Sequence, residues 1–122
     1  MAKKLKVYVA GPYLSNPARG IRAAVDAADR ILELGAIPFV PHLTHLWHLI
    51  SPHSYEEWLG CGLEWLDGCD LVLRLPGVSD GVDQEVEHAR QALIPVIFGI
   101  EYTDGSKEEL RDRGMVYLLM GR

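Results

Sequence analysis

The stretch Leu75-Pro76-Gly77-Val78-Ser79-Asp80-Gly81-Val82-Asp83-Gln84-Glu85 combines the residue types of an anion cradle with a carboxylate one helical turn further on. It follows Leu71-Val72-Leu73-Arg74-Leu75, an apolar run with the character of a buried strand, and leads into a helical pattern. A strand-to-helix junction of this kind aims the first N–H groups of the helix at whatever sits above the sheet, an environment that favours negative charge. Gly81 lets the backbone approach a ligand, and Ser79 adds a hydroxyl. Glu85 could act there as a nucleophile on an anomeric carbon or as a base, so the combination points to chemistry on a phosphorylated sugar. An ordinary strand-to-helix connection with a solvated glutamate would use the same residues. Two common phosphate sites do not fit: no lysine follows the glycine, as a P-loop requires, and no G-x-G-x-x-G follows the first strand.

A second group with chemical potential is the histidine series His42, His45 and His48, with His53 beyond it. Imidazoles at this density could hold a metal. No cysteine or carboxylate shares their spacing, so the expectation is no metal, with contact to substrate or phosphate through one or two of them, His45 above all. Packing at a subunit interface is the competing use.

The chain that must position these groups has 122 residues, 48% of them hydrophobic and 24% charged, which suits one domain spanning 1–122 with one core. A formal net charge of −5 excludes a protein that works by neutralising nucleic-acid phosphates. The two cysteines, Cys61 and Cys69, have neither zinc-type spacing nor a disulfide framework, which points to a reducing cytoplasm. The apolar run near the start is broken at Gly11-Pro12, too soon for a signal peptide or membrane span, so no membrane partner is expected.

Periodicity predicts strands over 5–10, 36–40, 70–75 and 95–100. Helices are predicted from Asn16-Pro17 to Gly35, from the S-x-x-E capping box at Ser54 to Gly68, and over 80–93. Residues 41–53 read as a long aromatic and histidine-rich loop. Tyr55, Trp58 and Trp65 fit a helix face turned to the core. Residues 106–119 read as helix, with a fifth strand over 115–120 as the alternative. Uniformly apolar strands alternating with amphipathic helices call for an α/β fold, a single doubly wound parallel sheet of four to five strands in a flavodoxin-like or Rossmann-like three-layer sandwich. In such a sheet the segments 11–15, 42–53 and 77–85 meet at the carboxyl edge, where ligands bind.

Three further matches turn this pattern into a resemblance. Val7-Tyr8-Val9-Ala10-Gly11, Leu63-Glu64-Trp65-Leu66 with Cys69-Asp70-Leu71-Val72, and Ser79 to Glu85 followed by Pro95-Val96-Ile97 occur in order over roughly residues 5–100. In these segments the chain resembles the nucleoside 2-deoxyribosyltransferases and the deoxynucleoside 5′-monophosphate N-glycosidases. As a whole it looks most like small uncharacterised bacterial and phage proteins grouped beside them as a domain of unknown function.

The resemblance implies that Glu85 is a nucleophile and Tyr8 an active-site tyrosine. It also implies that Ser79, six positions before the nucleophile, binds a 5′-phosphate, with Gly11, Pro12, Tyr13 and Gly81 completing the substrate site. No cofactor is implied. The implied partners are a nucleoside 5′-monophosphate or nucleoside and further copies of the chain, as a homodimer or homotetramer. Two departures stand out. Gly62 occupies the position where those enzymes carry an aspartate that serves proton transfer to the departing base, and Asp83-Gln84 replace a glycine and an aromatic residue. Substitutes for the missing acid are Asp83, His88 and the histidines after Pro41, and restoring an aspartate at 62 would be expected to raise the rate when proton delivery to the base is limiting. The rival function is a nucleotide-binding sensor or regulatory module without turnover.

Overall fold

The computed structural model describes residues 4–12 and 16–98. Four strands, β1 (Lys6–Ala10), β2 (Ile37–Phe39), β3 (Leu71–Arg74) and β4 (Val96–Phe98), form one parallel sheet in the order β2-β1-β3-β4. Its helices are α1 (Pro17–Glu33), α2 (Thr44–Ile50), α3 (Tyr55–Asp67) and α4 (Asp80–Gln91). This is a flavodoxin-like three-layer α/β fold, and its strand order reverses between β1 and β3.

Strand alternation divides the core in two. Val7, Val9, Leu71, Leu73 and Ile97 point to one face and bury against Ala24, Ala27 and Ile31 of α1. Tyr8, Ala10 and Val72 point to the other face, where Leu66 of α3 and Val82, Val86 and Ala89 of α4 cover them. The register Val7↔Leu71 and Tyr8↔Val72 sets the two layers in step. Pro38 lies in β2, an edge strand, where the missing N–H is tolerated.

Local signals account for the helix starts. The Asn16 side chain accepts from Arg19 N at 3.2 Å, with Pro17 in the first turn of α1. Ser54 and Glu57 complete the capping box of α3. Gly35, at φ 86°, follows α1 in the left-handed region that glycine adopts without cost.

Two expectations are corrected. Residues 41–53 are not a loop: a 3-10 turn, Pro41–Leu43, leads into α2. Leu46, Trp47, Leu49 and Ile50 of α2 are exposed, so its apolar side chains do not enter the core, and at seven residues the helix is too short for a sustained period. Tyr55 and Trp65 do not face the core either; they are 41% and 63% exposed, and Trp65 stacks on Phe39 with ring centroids 5.1 Å apart. The terminal helix or fifth strand lies outside the described residues. Among the described residues, no helix is long and apolar enough to cross a membrane.

Candidate active site

Val82, Glu85, Val86 and Ala89 share the buried stripe of α4. The Val82, Val86 and Ala89 positions meet the sheet, and the same geometry carries the Glu85 carboxylate inward, leaving it 9% exposed. It meets Tyr8, fully buried on β1, whose hydroxyl donates to Glu85 Oε2. Burial pushes the Glu85 carboxyl up to about 7, against the lowering effect of the Tyr8 hydrogen bond. Tyr8 is held above the ordinary phenol range by its own burial and by the neighbouring carboxylate, so it remains an O–H donor. The arrangement is a desolvated carboxylate poised near neutrality with one oxygen oriented by a phenol.

Gly62 of α3 passes directly over this pair. A Cβ there would lie 2.7 Å from Tyr8 Oη and 4.0 Å from Glu85 Oε2. Tyr8 therefore fills the space that a side chain at 62 would need. Two of the substitutes for an acid at 62 also lie elsewhere: Asp83 is exposed and faces Arg74 at 3.8 Å, while His88 binds Asp67 at 2.6 Å.

Tyr8 and Glu85 open onto a cavity of about 220 Å³ at the carboxyl edge of the sheet. Gly11, Ser79 and Gly81, three of the other site residues expected from sequence, also line it. Ser79 is the N-cap of α4, its Oγ accepting from Val82 N at 3.3 Å, which leaves the hydroxyl hydrogen for a ligand. At Gly81 a Cβ would lie 2.8 Å from Tyr55 Oη, so the glycine is what lets the phenol lie against the start of α4. Tyr55 is shifted up, first by burial and then by the charges of Glu85 and Asp80. Pro12 borders an adjoining depression with Tyr55, Ser79 and Gln84, and Tyr13 lies outside the described residues.

The histidines sort differently from the expectation. His45 is not among the residues lining the cavity; His42 and His48 are. Thr44 and His48 are one helical turn apart and both face the cavity, which rotates His45 of the same turn away. The ring of His42 is buried and donates from Nε2 to the Gly11 carbonyl at 2.7 Å, bracing the segment after β1 against the segment after β2. Burial pulls its pKa down, so this brace is a neutral imidazole. Trp58, Tyr55 and Leu59 complete the wall, none of them assigned to the site from sequence. Among the described residues lining this cavity there is no lysine or arginine, and no group of three or more potential metal ligands occurs among the described residues.

Residues 5–112 match the model of a protein family described as a domain of unknown function, DUF7768. The chain belongs to this family. No curated protein matches it. Among solved structures, this DUF7768 domain is similar to a 2-deoxyribosyltransferase of the psychrotolerant bacterium Bacillus psychrosaccharolyticus, with a TM-score of 0.62 and 21% identity over 76% of this chain and 70% of that one. It is also similar to a 2-deoxyribosyltransferase of Leishmania mexicana, with a TM-score of 0.61 and 16% identity over 79% of this chain and 63% of that one. These likenesses establish the shared fold.

Proposed function

We propose that this domain cleaves or transfers the N-glycosidic bond of a nucleoside, with a (deoxy)nucleoside 5′-monophosphate as the preferred substrate and Glu85 as nucleophile. The observation that carries the reading is the buried Glu85 carboxylate, oriented by Tyr8 at the floor of the carboxyl-edge cavity. The fold shared with two 2-deoxyribosyltransferases supports it by analogy. In this mechanism ionised Glu85 attacks C1′ as the C1′–N bond breaks, the bonding pair leaves with the base, and the resulting glycosyl ester is resolved by water or a second base. Tyr8 holds the other carboxylate oxygen. Ser79, Gly81 and the first N–H groups of α4 hold the 5′-phosphate, a remote anchor that positions the sugar. Screening nucleosides and nucleotides for free base by chromatography tests the reading.

Because the attacking form is the carboxylate and its pKa is about 7, base release is expected to climb as pH rises through neutrality. Titration of one group predicts roughly a tenfold gain between pH 6 and 8. A flat profile over that range would remove Glu85 ionisation from the rate.

Ser79→Ala separates the two duties of that side chain. Loss of the cap should cost about 0.5–2 kcal/mol of stability, while loss of a hydrogen bond to a charged phosphate should weaken monophosphate binding by about 1.5–3 kcal/mol. Affinity for the unphosphorylated nucleoside should barely change. Equal losses for both ligands in calorimetry would take Ser79 out of the phosphate site.

One observation favours a second reading, a nucleotide-binding module without turnover: no acid stands at position 62, and Tyr8 occupies the space for one. Tight nucleotide binding with no base release across the panel would select it.

A further inference from the structure

The cavity holds one polar device that the glycosidic reading leaves unused. Trp58 Nε1–H donates to His48 Nδ1 at 2.8 Å, and the backbone N–H of His53 donates to the same nitrogen at 3.2 Å. Indole and amide N–H groups are donors only. A ring nitrogen that accepts from them carries no hydrogen, so the neutral imidazole keeps its proton on Nε2. The lock is itself supported: the Trp58 ring meets Trp47 edge-on at 5.0 Å and His53 at 5.2 Å. His48 lines the same cavity as Tyr8 and Glu85, and among the described residues no hydrogen bond engages its Nε2. The other cavity histidine differs, because His42 directs its Nε2–H to the Gly11 carbonyl.

We propose that His48 reads the leaving base, its Nε2–H donating to an acceptor on the nucleobase, a ring nitrogen or a carbonyl oxygen, with Trp58 as the positioning residue that fixes the tautomer. This inference rests on the glycosidic reading and deepens it. As C1′–N breaks, the bonding pair moves onto the base and the Nε2–H···acceptor bond strengthens, which stabilises the departing group in the transition state. His48 keeps its proton, since Nδ1 is already an acceptor. The base anion takes its proton from water, and the hydroxide formed resolves the ester in hydrolysis. The acceptor-bearing bases are the substrate class; a base analogue lacking the acceptor is discriminated against.

The test is a long-range ¹H–¹⁵N spectrum of histidine-labelled protein at pH 8, with and without a panel of 2′-deoxynucleosides, their 5′-monophosphates, and deaza or deoxo analogues that each lack one acceptor. The expected spectrum shows His48 as the Nε2–H tautomer, Trp58→Phe mixes the tautomers, and a bound nucleoside shifts the Nε2 signals. In binding assays His48→Leu should weaken a parent nucleoside about threefold to tenfold, the effect of one neutral hydrogen bond, and leave the analogue lacking the acceptor unchanged. An Nδ1–H tautomer in the unsubstituted protein overturns the inference without any variant having to fold. So does a nucleoside that binds in the assay, more weakly to Glu85→Gln or Tyr8→Phe, while His48 Nε2 stays unmoved, and in that case the glycosidic reading survives. If no member of the panel binds, both fall together.

Discussion

Glu85→Gln is expected to abolish base release, by at least about a thousandfold, and to make the domain more stable at pH 8. The activity loss follows from removing the nucleophile: an amide forms no glycosyl ester, and a thousandfold corresponds to about 4 kcal/mol of barrier. Nucleotide binding should survive, because glutamine keeps the shape of the side chain and its oxygen can still accept from Tyr8. The stability gain follows from linkage. The Glu85 carboxyl titrates near 7 in the fold against an ordinary value of 4.5, because burial penalises its charge. Between those two pH values the folded state retains a proton that the unfolded chain has lost, so stability falls as pH rises through the window and the whole cost is present above it. At about 1.4 kcal/mol per pH unit the cost is on the order of 3 kcal/mol, and burial of the new amide N–H groups trims the gain to about 1–3 kcal/mol. Urea unfolding should therefore show the glutamine variant ahead at pH 8 and level with the parent or below it at pH 4, where only the amide burial term remains. A variant no more stable at pH 8 would mean that the carboxylate is not desolvated.

Gly62→Asp carries the second large effect, and the structure reverses the expectation from resemblance. Adding the missing acid should lower both stability and base release, because the new Cβ would lie 2.7 Å from the Tyr8 hydroxyl and the new carboxylate would stand beside Glu85. Tyr8 is fully buried on β1, so its ring cannot swing away cheaply. Overpacking of this kind costs about 1–3 kcal/mol, and a second buried carboxylate adds further cost unless it is protonated. Gly62→Ala isolates the steric part: the alanine should gain roughly 1 kcal/mol from helix propensity, and a net loss would register the clash. Faster base release with an unchanged melting temperature in Gly62→Asp would show instead that Tyr8 yields its place and that the acid at 62 was what the site lacked.

The features legible in the sequence were local. Asn16 and Ser54 mark helix starts because each cap is formed within a few residues of itself, and the apolar strands announce a sheet covered on both faces. The cap at Ser79 is not among them, since in the sequence that serine reads as a ligand donor. Glu85 also leaves a trace, as a carboxylate one helical turn beyond the Gly/Ser junction that follows β3. What escaped depends on distant segments. The closeness of Gly62 to Tyr8 appears only once α3 lies over β1, whereas the pairing of Tyr8 with Glu85, 77 positions apart, comes from the family resemblance and not from spacing. The recurrence of histidine at every third position concealed that Thr44 and His48, one helical turn apart, share the face turned to the cavity. Residues 41–53 read as a loop because the helix within them has only seven residues and lies between Pro41 and Pro52, too short for a sustained period.

The central claim is that Glu85 becomes covalently attached to the sugar. Mass spectrometry of the intact protein, quenched in acid during reaction with the substrates that release base, followed by peptide mapping, tests it most directly. The expected result is a mass increase equal to the glycosyl or phosphoglycosyl group, located on Glu85 and absent from Glu85→Gln. Base release that continues in Glu85→Gln, or an adduct mapped to another residue, would contradict it.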